Sequence, residues 1–148
     1  MDDKLQLKGQ VALVLKDKDG KVKQQKEVNN LIVDTGLNFI CDRMKDATES
    51  AMSHMGVGSN STAAAAGNTD LGTLLGSREA LDSTTVTNNQ IVFVASFEAG
   101  DGTGTIEEAG IFNAATGGTM LCRVLTGTIT KSASDTLTIT WTITLSAS

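Results

Sequence analysis

The sequence contains no proline and no tyrosine, one histidine, one tryptophan and two cysteines, and aromatic residues make up 3% of its 148 positions. Each shortage excludes something. With His54 as the sole histidine, a nucleophilic site would need a Ser or Cys beside it and an acid behind it. The chain has no G-x-S-x-G elbow, and His54 sits between Ser53 and Met55 on a stretch that reads as strand. No catalytic residue is assigned, and the chain is read as a non-enzyme. Cys41 and Cys122 stand far apart with no C-x-x-C or histidine spacing, so no zinc site follows. They read as two buried thiols, with pairing left open. Sugar sites stack a ring on Trp or Tyr, and the lone Trp141 lies on the apolar side of its strand, which disfavours a lectin. No apolar run approaches the roughly 18 residues of a membrane helix. The polar start MDDKLQLKGQ lacks the pattern of a signal peptide, so synthesis in the cytoplasm is expected. For the missing proline the sequence offers no physical reason.

The charge balance is acidic, net -5 with a pI near 4.7. Such a surface repels phosphate backbones and argues against nucleic-acid binding. Nine of the twelve Lys and Arg fall within residues 1–45, many of them in KDKDGKVKQQK. That run reads as a solvated hairpin, with an electropositive patch as the other reading.

What is present is strand after strand. VALVLKDKDGKVKQQKEV alternates at Val11, Leu13 and Leu15, turns at Asp19-Gly20 and returns through Val22 and Val28. Asp17 and Asp19 resemble the start of a calcium loop, but Val22 and Val28 occupy the positions where Gly and Glu are needed. DTGLNFICDRMKDA predicts the one helix, over about residues 36–46, capped by Asp34 or Thr35. Its apolar face would be Leu37, Ile40, Cys41 and Met44. AMSHMGVG returns to strand. SNSTAAAAGNTDLGTLLGSR is a long connection with a short helical turn at the alanines. Strands then follow to the end, with turns at TNN, GDGTG, ATGG and TKSASD. The expected fold is mainly β: an antiparallel two-sheet sandwich, jelly-roll-like, forming one domain over residues 1–148. An immunoglobulin-like sandwich is the second choice. Residues 1–9 are expected to form an extended arm that adds to a neighbour's sheet, because Leu5 and Leu7 alternate without a nearby partner in sequence.

GDGTGTIEE is glycine-rich but opens a strand, so a hairpin turn is preferred to a nucleotide loop. Glu107 and Glu108 are adjacent and point to opposite faces, so they cannot act as a carboxylate pair; one could hold a cation. No cofactor and no metal ligand set is assigned.

One set of residues, in order, resembles a module of tailed-bacteriophage virion proteins. A G-x-G-x-x-x-x-A stretch leads through D-x-x-L to an Arg. Strands I-x-E-x-G-I-F and G-G-x-x-L-x-R follow, closing on K-x-x-x-D-x-L-x-I-x-W. Here these are Gly56, Gly58, Ala63, Asp70, Leu71, Leu74 and Arg78; then Ile106, Glu108, Gly110, Ile111, Phe112, Gly117, Gly118, Leu121 and Arg123; then Lys131, Asp135, Leu137, Ile139 and Trp141. The likeness spans about residues 28–145. It implies a structural virion protein, either a capsid decoration (cement) protein or a part of a tail fibre or baseplate that binds tail proteins or the host surface. The absence of collagen-like or coiled-coil shaft sequence favours decoration. The implied partners are the major capsid protein and the chain itself, as a homodimer or homotrimer, on the capsid surface of a virion.

The last strand, DTLTITWTITL, sets Leu137, Ile139, Trp141, Ile143 and Leu145 against Thr136, Thr138, Thr140, Thr142 and Thr144. Threonine is a good polar β-former, so a solvated face is one reading. The other is contact with a second copy or a shell, since exposed strands usually carry charge against association and this row has none. Leu5, Leu7, Thr138, Thr140, Thr142 and Thr144 are the candidate interface residues.

Overall fold

Alternation with a period of two builds most of the molecule. The computed structural model describes residues 4–45 and 49–147. The elements run β1 (Leu5–Lys16), β2 (Val22–Asn29), β3 (Leu31–Ile32), α1 (Asp34–Lys45), β4 (His54–Gly58), β5 (Glu79–Ala80), β6 (Ser83–Thr87), β7 (Gln90–Phe97), β8 (Gly104–Phe112), β9 (Met120–Lys131) and β10 (Thr136–Ala147). They form two antiparallel five-stranded sheets, ordered β2-β1-β10-β7-β6 (sheet A) and β3-β9-β8-β4-β5 (sheet B). The two-sheet sandwich and single helix are as the sequence predicts. No helix among the described residues is long and apolar enough to cross a membrane.

Between the sheets lies one apolar core. Sheet A contributes Leu13, Phe93, Phe97, Leu137, Ile139 and Trp141, and sheet B contributes Met55, Val57, Ile106, Ile111 and Val124. Burying each large side chain contributes about 1.5–3 kcal/mol. Trp141 is wholly buried, and its indole N–H has no hydrogen-bond partner among the described residues. Turn chemistry matches local need: Asp17 Oδ1 accepts from the N–H of Asp19 and of Lys21, while Gly20 takes φ 80°.

Several expectations are corrected. Of the expected arm over residues 1–9, residues 1–3 lie outside the described residues, and residues 5–9 are strand. They begin β1, where Leu5 pairs with Ala147 and Leu7 with Leu145 of the same chain. The helix starts at Asp34, and residue 46 lies outside the described residues. Its inner face is Gly36, Phe39 and Ile40; Leu37, Cys41 and Met44 are exposed, Met44 by 82%. Glycine sets this rotation. A Cβ on Gly36 would stand 2.0 Å from the Leu121 carbonyl oxygen, so only glycine lets the helix approach β9 that closely. Both cysteines are free, but only Cys122 is buried, and burial raises its thiol pKa. The alanine stretch forms a turn and no helix.

Candidate functional site: two outer faces

The outer face of sheet B is covered by the chain itself. Residues 59–78 cross it as an irregular lid. The sheet beneath is made of glycine where the lid lies closest. A Cβ at Gly56 would meet Leu71 and Leu74, and one at Gly58 would fall 2.4 Å from Glu108 Oε1 and the Thr73 carbonyl oxygen. Glu108 on β8 is fully buried. Its Oε1 accepts from Thr73 N–H at 2.9 Å and Asn60 N–H at 3.3 Å, and its Oε2 from Gly72 N–H at 3.0 Å. Arg123 on β9 donates to Oε2 from Nε and Nη2, each at 2.9 Å. Arg123 also reaches the Thr62 carbonyl and Asn68 Oδ1. The carboxylate therefore serves the lid backbone and an arginine, and its oxygens are not open to a cation. At the lid's far end Arg78 lies 3.5 Å over the Phe112 ring and donates to the Ala114 and Gly117 carbonyls. Val33, Leu71, Phe112 and Met120 form a small second core under the lid.

The outer face of sheet A carries no such cover among the described residues. Across its middle, register sets Thr140 between Ala12 and Val94, Thr138 between Val14 and Ser96, and Thr142 between Gln10 and Val92. All three threonines are half-buried by these neighbours. At the ends the row is tied: Gln90 Nε2 donates to Thr144 Oγ1, and Thr136 Oγ1 donates to Glu98 Oε2. Charge lies around the threonine row and not in it, at Lys8, Lys16, Glu27, Glu98 and Asp82, whose Oδ2 accepts from Ser96 Oγ. Of the six candidate residues, Thr138, Thr140, Thr142 and Thr144 share this face. Leu5 and Leu7 are on β1 at the far end, opposite positions 147 and 145, and alternate to the other side of the sheet.

The remaining candidates are scattered. Ser53 Oγ and His54 Nδ1 are 2.8 Å apart, yet no carboxylate hydrogen-bonds the ring among the described residues. Glu107 is half-buried and accepts from Thr128 Oγ1. The basic hairpin is partly tied into the fold, for Lys23 Nζ lies 2.7 Å from Asp135 Oδ2. That lysine, with the Ser132 N–H, holds the Asp135 carboxyl down at about 2. Lys131 is buried and donates to the Glu98 carbonyl, and burial lowers its pKa. An apolar hollow of about 230 Å³ lies between α1 and the end of sheet A, lined by Phe39, Met52, Phe93 and Leu145 with Arg43 at its side.

The sequence reading missed the lid. Its signal was the unexplained spacing of Glu108 and Arg123 in the strands that carry the resemblance. No family model, no curated protein and no solved structure matches the chain.

Proposed function

We propose that the chain is a structural virion protein that binds the outside of a phage capsid and bridges neighbouring shell subunits. The observation that carries this reading is the outer face of sheet A, whose central strand presents the uncharged row Thr138, Thr140 and Thr142. A sheet face of threonine, Ala12, Val14, Val92 and Val94 can be covered without desolvating a charge at its centre, and its polar rim suits an interface edge. Shell binding through such a face gains strength from many copies rather than from any one contact. The sequence resemblance to virion proteins, carried by β4, β8, β9, β10 and the lid, supports the same reading.

The test is the copy number of this chain in purified particles. Near-equality with the shell protein is expected. A few copies per particle would move the chain to a tail fibre or baseplate, and absence from particles would remove the reading.

A further inference from the structure

Sheet A has two edges, and they are built differently. One is β2, VKQQKEVN, which carries Lys23, Lys26 and Glu27 and slips register against β1 at Leu15/Lys16. Charges and bulges are how natural sheets keep an edge from pairing. The other is β6, STTVT, exposed along its whole length and uncharged, in unbroken register with β7. Val86 on it is 68% exposed.

We propose that β6 is the contact between two copies of this chain, pairing antiparallel about a two-fold axis through Thr85. This deepens the reading above, in which copies act together on a shell, and it is tested in solution so that the two can fail separately.

The hydrogen-bond geometry fits. Thr87 faces Gln90 across the Asn88-Asn89 turn, where Asn88 takes φ 53°. A two-residue hairpin closes on a hydrogen-bonded pair, and such pairs alternate along the ladder. Thr87 and Thr85 therefore direct their backbone groups to β7. Thr84 and Val86 direct theirs to the free edge. About an axis at Thr85, Thr84 meets Val86 of the second copy and Val86 meets its Thr84, so each pair exchanges N–H and C=O. Ser83 meets Thr87 of the second copy, and Thr85 meets Thr85, as non-hydrogen-bonded pairs whose side chains alone touch. The strand reads nearly alike in both directions, as a two-fold contact requires.

The surroundings fit as well. No charge opposes its like across the axis. Val86 borders an apolar hollow of about 460 Å³ shared with Ile91 and Leu145, over which methyls of the second copy would lie. On the outer face Ser83 and Thr85 sit beside Val94 and Val92, so pairing carries the uncharged surface across the axis into a second sheet. One short strand pair buries less than the roughly 1,200–2,000 Å² of a stable interface, so the expected dimer is a weak one, and a Kd of about 1–100 µM is the range to search.

Sedimentation equilibrium of the full chain up to about 500 µM, well above that Kd, tests this. A monomer–dimer equilibrium is expected. Thr84→Pro removes a donor that faces the free edge, where proline is tolerated. Thr85→Lys sets two like charges at the axis. Each is expected to weaken the dimer at least about tenfold while leaving the circular dichroism spectrum unchanged. If Thr84→Pro fails to fold, Thr85→Lys decides. A wild-type chain that stays monomeric throughout, or a dimer untouched by Thr85→Lys, overturns the proposal.

Discussion

The two sheets of this sandwich have opposite exteriors. Sheet B holds its own lid: glycines at 56, 58 and 110 make room for it, and a buried Glu108–Arg123 pair ties it down. Sheet A is left bare, with threonine where sheet B has glycine and charge. The motif residues singled out in the sequence fall unevenly between them. Gly56, Gly58, Leu71, Leu74, Arg78, Glu108, Gly110, Phe112 and Arg123 all gather at the lid. Lys131, Asp135, Leu137, Ile139 and Trp141 are buried. These residues therefore keep the fold, and the bare face is where this chain has surface to offer.

That contrast can be broken first at Glu108. Glu108→Ala leaves the buried Arg123 charge and three lid N–H groups without their acceptor. A loss of about 3–5 kcal/mol in urea unfolding is expected, with proteolysis concentrated in residues 59–78. Gly58→Ala is next. Its Cβ meets two oxygens at 2.4 Å, and about 1–3 kcal/mol should be lost. Thr140→Ala on the bare face should change stability by no more than about 0.5 kcal/mol.

A smaller effect sharpens the rim of sheet A. The Asp135 carboxyl is held down at about 2, chiefly by Lys23. A carboxyl depressed on folding adds stability above its unfolded value near 4, and that share is lost as pH falls through about 2. The wild type should lose thermal stability across this window, and Asp135→Asn should flatten that part of the acid limb.

Much of the fold was legible because its signals are local. Asp19-Gly20 marks a hairpin, and five apolar residues alternating with threonine mark β10. The lid was not legible, because Glu108 and Arg123 meet only once β8 and β9 pair and residues 59–78 fold over them. The helix was turned wrongly for a related reason: Gly36 has no hydrophobicity to register, yet its lack of a side chain decides which face packs. Leu5 and Leu7 seemed unpartnered because their partners, Ala147 and Leu145, lie at the opposite end of the chain. The threonine row was visible, but its central position in sheet A, away from either edge, came only from the strand order.

The central proposal is that the bare face, and not the lidded one, meets the particle. The direct measurement is binding of two lysine variants to particles stripped of this chain. One carries Thr138→Lys, Thr140→Lys and Thr142→Lys; the other carries Ser61→Lys, Ala63→Lys and Ala65→Lys on the exposed surface of the lid. The account predicts that the threonine variant folds but fails to bind, while the lid variant binds as the wild type does. Full binding by the threonine variant, or loss confined to the lid variant, would contradict it.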